Sequence, residues 1–228
     1  MKTIAIAIDG PAGAGKSTLA KALARELHYI YVDTGALYRA IGLHTLRAGK
    51  DPADAAAVTP LLQGLQVELR FENGEQHVYA NGEDVSSAIR TPEVSMAASA
   101  VSAIPAVRQF LFDLQRNIAE KNSVIMDGRD IGTVVLPWAQ IKIFLFASLE
   151  ARARRRFDEL IEKGQRVSFE EVLADMQKRD YDDTHRAIAP LRQAEDAVPV
   201  DTGALTLEQS EALLTSIVKE RLSCLTED

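Results

Sequence analysis

Cysteine is almost missing from this chain of 228 residues: Cys224 is the only one. A lone thiol forms no disulfide within one chain, so no cross-linked framework holds the fold, and the composition suits a reducing compartment. Cys224 reads as an incidental residue of a terminal helix. Long apolar runs are missing too, and none approaches the roughly 20 residues of a membrane span. An apolar strand pattern begins within the first few residues, which leaves no room for a signal peptide and predicts a cytoplasmic protein. Positive charge is in deficit, with 26 Lys and Arg against 33 Asp and Glu and a net charge of −7. That balance argues against bulk binding to nucleic acid or an anionic membrane, so any polyanion must be met by a local cluster of cations. Internal repeats, low-complexity linkers and a clear second-domain boundary are all absent.

What the chain does have is a glycine-rich run near its start: Gly10, Pro11, Ala12, Gly13, Ala14, Gly15, Lys16, Ser17 and Thr18. The run fits G-x-x-x-x-G-K-[ST], the pattern of a phosphate-binding loop. Its glycines let successive backbone N–H groups curl around a phosphate without Cβ collisions. The helix that follows favours negative charge at its N-terminus. Lys16 is spaced to reach the outer phosphates and Ser17 to hold a magnesium ion. Residues 3–9 form an apolar, β-branched strand pattern before the loop. Residues 16–27 follow as a helix, with Leu19, Ala20, Leu23, Ala24 and Leu27 on one face. Strand, loop and helix in this order predict a nucleoside triphosphate site.

Farther along, residues 29–32 are a second strand, followed by a helix over about 36–48 with Gly49 at its end. Tyr38 and Arg39 lie in that helix's first turn, facing the strand ends where open α/β sheets bind ligands. Between 66 and 86 the pattern alternates, with Asn73-Gly74 and Asn81-Gly82 as hairpin turns, which predicts a small antiparallel meander of about three strands. His77 alternates within it and reads as surface or meander packing. Residues 93–103 are helical, and Pro105 opens a helix to about Lys121 with Val107, Phe110, Leu111 and Leu114 on its apolar side. A third main strand at 123–126 ends in Asp127-Gly128-Arg129-Asp130, placing Asp127 where a nucleotide site directs magnesium through water. Strands at 142–146 and 198–201 flank a charged helical hairpin, capped at Ser148 and by the Ser168/Glu171 capping box. Thr206 and Gln209 box the start of a final helix to about Leu222. The sum is a three-layer α/β/α sandwich on a five-stranded parallel sheet.

An acidic chain that concentrates arginine at ligand-facing positions is built to hold more phosphate than one triphosphate supplies. Arg39, Arg108 and Arg129 sit at strand ends or in first turns, and Arg152, Arg154, Arg155 and Arg156 share one helix. The arginine fork grips phosphate bidentately. Transfer to an alcohol is helped by a carboxylate base, and Asp33 is placed to serve. Transfer to a phosphate needs positive charge and alignment instead, because the attacking oxygen is already anionic. The arginines favour the second case.

Together these stretches make the chain resemble the bacterial cytidylate (CMP/dCMP) kinases of the nucleoside monophosphate kinase group. The motifs lie at 8–17, at 32–39 (Val-Asp-Thr-Gly-Ala-Leu-Tyr-Arg) and at 89–94 (Ile-Arg-Thr, then Glu-Val after Pro92). Asp-Gly-Arg-Asp-Ile-Gly-Thr-Val-Val at 127–135, and Arg179-Asp180 with Arg-Ala-Ile-Ala-Pro-Leu at 186–191, are the more specific ones. The resemblance implies one kinase domain with a core at 1–62, 104–150 and 191–228, a monophosphate-binding insert at about 63–103 and a lid at about 151–190. It implies that ATP (or dATP), with Mg2+, phosphorylates CMP and dCMP, and that the chain acts as a monomer without nucleic-acid or membrane partners. By the same resemblance Arg39, Arg129 and Arg186 hold the acceptor phosphate. Thr34, Arg108 and Asp130 read the cytosine, Ser99, Arg179 and Asp183 hold the ribose, and Tyr38 lines the same site. Lys16, Arg129 and Arg186 form the catalytic set. Thr34 stands where some members carry serine, and both supply a hydroxyl. Two other readings stay open: a kinase of another small metabolite with Asp33 as base, and a nucleotide-dependent switch. The switch lacks the Asn-Lys-x-Asp motif that reads guanine.

Overall fold

Why the first strand is so apolar is plain from its place. In the computed structural model, which describes residues 3–72 and 75–226, β1 (Ala5–Asp9) is buried along its whole length. It is followed by α1 (Lys16–Leu27), β2 (Ile30–Asp33), α2 (Thr34–Arg47), a short α3 (Ala55–Val58), β3 (Val67–Glu72), β4 (Glu75–Ala80) and β5 (Glu83–Asp84). Then come α4 (Pro92–Val101), α5 (Pro105–Lys121), β6 (Val124–Gly128), β7 (Ile141–Phe146), α6 (Leu149–Glu162), α7 (Phe169–His185), β8 (Val198–Asp201) and α8 (Leu207–Thr226). Two compact units result, residues 1–31 with 122–228 and residues 32–121.

The first unit is built on the five-stranded sheet, in the order β2-β6-β1-β7-β8. β1 pairs in parallel with both β6 and β7, and β7 pairs in parallel with β8. A strand buried on both faces has no polar side to show, hence an unbroken Ala-Ile-Ala-Ile run. Ile6, Ile8, Leu19, Leu23, Ile125, Ile143, Leu145, Leu214 and Val218 make the core between the sheet, α1 and α8. α6 and α7 form a helical hairpin with its own small core of Ala153, Leu160, Val172 and Met176. The caps are those the sequence predicts. Ser148 accepts from Ala151 N–H, and Ser168 and Glu171 bond each other's backbones. Thr206 and Gln209 do the same at the start of α8.

The second unit is helical with the meander on one side. β3, β4 and β5 pair antiparallel in sequence order. Asn81 and Gly82 join β4 to β5 with φ of 50° and 81°, both in the left-handed region that a two-residue turn of this hand requires. The expected turn at Asn73-Gly74 lies outside the described residues. Val78, Val85 and Ile89 pack on Ala36 and Ala40 of α2. The adjacent face of α2, Leu37 and Ile41, packs with Val101, Ile104, Val107 and Leu111. Phe110 and Leu114 join that cluster only partly buried.

Some features differ from the sequence pattern. α2 begins at Thr34 rather than near 36, because the Asp33 carboxylate accepts from Ala36 N–H and draws two more residues into the helix. α8 runs on to Thr226. α3 and the tight turns Thr59–Leu62 and Ala88–Arg90 carry too little periodicity to be read in advance. After β6 the chain makes a wide turn, Ile131–Val135, with bonds reaching back five residues: Val135 N–H to Asp130 O and Leu136 N–H to Ile131 O. Among the described residues no single helix is long and apolar enough to cross a membrane.

Candidate active site

The loop between β1 and α1 has the backbone its glycines predict. At Gly10, φ is 150° and an added Cβ would stand 2.0 Å from the carbonyl oxygen of Leu145, so only glycine fits. Gly15 caps α1 from the left-handed region, with no side chain closing the helix end. The first N–H groups of α1 are therefore not capped by a side chain, as an anion site needs. Lys16 is buried and its Nζ donates to Pro11 O at 2.6 Å. Burial and the nearby Arg129 charge hold its ammonium well below the usual lysine range, with Asp127 pulling the other way. Ser17 Oγ and the Tyr31 hydroxyl both donate to the Asp127 carboxylate, at 2.8 and 3.0 Å.

The end of β6 and the last turns of α7 meet in the same unit. Arg129 Nε donates to Asp183 at 2.7 Å, and Arg186 Nη2 to Asp130 at 3.2 Å. The second pair is nearly dry, with side chains 7% and 6% exposed. Burial pushes the Asp183 carboxyl up, but the charges of Arg129, Arg179 and Arg186 outweigh it and hold it below the ordinary value. Lys16, Asp127, Arg129, Asp130, Arg179, Asp183 and Arg186 thus all belong to the unit that carries the glycine loop.

Asp9 is an unforeseen member. Its two carboxylate oxygens accept from Ile131 and Gly132 N–H, at 2.8 and 2.7 Å, tying the end of β1 to the residues just after Asp130. Burial raises its carboxyl to about 7, against those two N–H groups, which lower it. A folded chain that keeps a proton the unfolded chain has released loses stability as pH rises from about 4 to about 7. Asp33 and Asp183 are depressed instead, so their contribution is lost only below about pH 4. The stability advantage of the wild type over Asp9→Asn should therefore be larger at pH 5 than at pH 7.5 in thermal melts. An equal difference at both would contradict the assignment.

Two of the arginines of α6, Arg152 and Arg155, tie it to other parts of the unit. Arg152 is buried and donates to Ala147 O, to Ala12 O of the glycine loop and, bidentately, to Asp180 of α7. Arg155 bonds Thr202 and Gly203, Arg154 lies over the Phe169 ring, and Arg156 pairs with Glu159.

The remaining expected site residues belong to the second unit. Thr34 is buried at the start of α2, Tyr38 and Arg39 follow within its first turns, and Ser99 is on α4. Arg108, buried in the first turn of α5, donates to Ser102 O at 3.4 Å and lies 5.8 Å from the Tyr38 ring. Asp33 pairs with Arg39 at 2.8 Å and with Arg90 at 3.6 Å. Burial pushes its carboxyl up, but Arg39, then Arg90 and the Ala36 N–H, bring it below the ordinary value. A carboxylate held so firmly in its ionised form is a weak proton acceptor.

The family model described as cytidylate kinase matches residues 6–220. This chain belongs to the cytidylate kinase family. A cytidylate kinase of Lactobacillus gasseri is 49% identical over 216 residues, covering 95% of this chain and 94% of that one. Another, of Caldicellulosiruptor bescii, is 51% identical over 209 residues and covers 92% of each. A solved structure of an uncharacterized protein from Eubacterium ventriosum has a TM-score of 0.51 at 14% identity, over 95% of this chain and 99% of that one. That likeness shows a shared fold alone.

Within this cytidylate kinase frame, sequence reasoning missed Asp9, the Arg152–Asp180 clamp, Thr202 and Gln76. Only Asp9 left a local signal, an acid closing an otherwise apolar strand. Thr202 bonds Ala14 O of the glycine loop from 188 residues away, and no local pattern announces such a contact.

Proposed function

We propose that this chain transfers the terminal phosphoryl group of ATP to CMP and dCMP, giving CDP and dCDP. The observation that carries this reading is the pairing of Arg129 with Asp183 and of Arg186 with Asp130, beside the glycine loop. Two arginines already balanced by acids suit a small ligand that brings both a phosphate and polar base and sugar groups. The arginines turn to the phosphate, and the acids accept from the amino and hydroxyl groups. Arg39, Arg129 and Arg186 grip the acceptor phosphate. Asp130, with Thr34 and Arg108, reads the cytosine, whose exocyclic amino group donates where uracil would present an oxygen. Ser99, Arg179 and Asp183 hold the ribose, and Tyr38 lines the site.

The glycine loop wraps the donor phosphates and Lys16 leaves Pro11 O for them. Magnesium needs few protein ligands beside phosphate and water. Ser17 with Asp127 behind it fits that need. When bound, the ion neutralises charge on the donor phosphates. No base is required, because the attacking oxygen is already anionic. The chain's task is to line up two anions and suppress their repulsion. The insert at about 63–103 serves the monophosphate side, and the lid at about 151–190 excludes water, so that ATP is not simply hydrolysed.

A coupled assay of ATP consumption tests the reading. Turnover should depend on added CMP or dCMP and be near background without an acceptor or with hydroxylated metabolites that carry no phosphate. Turnover with such a metabolite and none with CMP would restore the rival kinase with Asp33 as base.

A further inference from the structure

Asp33 sits where several unrelated contacts of the second unit converge. It is the last residue of β2 and the cap of α2, accepting from Ala36 N–H at 3.0 Å. Its other oxygen takes Arg39 Nη2 at 2.8 Å, with Arg90 Nη1 at 3.6 Å. Its own backbone is held from the meander: Gln76 Oε1 accepts from Asp33 N–H at 2.9 Å, and Gln76 Nε2 donates to Asp33 O at 3.4 Å. Room for this is left by Gly35, where an added Cβ would lie 3.1 Å from Asp33 Oδ1 and 3.6 Å from Arg39 Nη2. With Nη2 so held, Arg39 Nε is a buried donor without a hydrogen-bond partner among the described residues. Buried donors are almost always satisfied, so one left open beside an anchored guanidinium marks where an acceptor oxygen belongs.

We propose that Asp33 is a positioning residue for the acceptor phosphate: it anchors Arg39 through Nη2 so that the open Nε is presented to the ligand, and Gln76 of the meander holds Asp33 in place. This rests on the reading of Arg39 as a grip on the acceptor phosphate. It gives the meander a part in the site, since a strand-like pair of bonds from Gln76 fixes the end of β2. It also explains an acid in a site built for anions. The carboxylate balances Arg39 and Arg90 while the site is empty and keeps the guanidinium from collapsing onto other acceptors.

Steady-state kinetics of Asp33→Asn, alone and with Arg39→Ala, tests the proposal. Asparagine caps a helix as well as aspartate does, so α2 is retained, while the oxygen facing Arg39 becomes an NH2 and both its charge and its acceptor are lost. The expected result is a KM for CMP raised about tenfold or more, since a charge-assisted bond is removed, with KM for ATP unchanged and kcat altered far less. In the Arg39→Ala background, Asp33→Asn should add less than about twofold, because partners in one network do not act additively. Gln76→Ala should shift the same KM in the same direction.

Three outcomes overturn the proposal: an unchanged KM for CMP, a loss of kcat alone as for a general base, or an equal effect with and without Arg39. Failure of the functional reading shows earlier and separately, as wild-type protein that does not phosphorylate CMP.

Discussion

Lys16→Met should lower kcat by about 1000-fold or more, on the scale of losing a cation that stabilises the transferring phosphoryl group. Thermal stability should hold or rise. Lys16 is buried, and its charge is disfavoured there by desolvation and by Arg129. Methionine keeps most of the side-chain volume and removes a cation that the fold accommodates at a cost. In the wild type the Nζ bond to Pro11 O offsets part of that cost. Loss of rate with unimpaired stability separates a catalytic lysine from a structural one. Rates from the coupled assay and melting by circular dichroism together decide it. A variant that melts much lower while keeping its rate would contradict the assignment.

Arg186→Ala should reduce kcat/KM for CMP by about 100- to 1000-fold, and here stability should fall too. Arg186 and Asp130 form a nearly dry pair, so truncating the arginine takes a charge partner from a buried carboxylate. Breaking one side of such a pair costs about 3–5 kcal/mol. The two effects separate in Arg186→Ala/Asp130→Asn, which removes the buried negative charge as well. Stability should largely return while activity with CMP stays far below that of Asp130→Asn alone, as chemical denaturation and initial rates will show. If the double variant were as active as Asp130→Asn alone, Arg186 would be a structural partner of Asp130 and no part of the chemistry.

Features written in neighbouring residues were legible in advance. The loop at 10–18, the Ser168/Glu171 box, the Asn81-Gly82 turn and the helix opened by Pro105 depend on contacts within a few positions. The apolar run of β1 and the acid closing β6 placed the strands on the correct side of the loop. The partners of the charged groups stayed hidden because they come from far along the chain. Asp9 holds Gly132 across 123 residues, and Gln76 holds Asp33 across 43. The run of arginines on α6 shows the difference most clearly. Its composition suggests a field aimed at phosphate, yet Arg152 clamps the loop to α7 and Arg155 braces the turn after β8. Asp33 was legible as an acid in the right neighbourhood, but whether it takes a proton or holds an arginine depends on Arg39 and Arg90, which only the fold brings to it.

The most direct test of the account compares kcat/KM for CMP and UMP at one fixed concentration of ATP with magnesium. A site in which Asp130 accepts from the amino group leaves polar groups unpaired when uracil enters, so CMP should be preferred by about 100-fold or more. UMP or AMP used as well as CMP would contradict it.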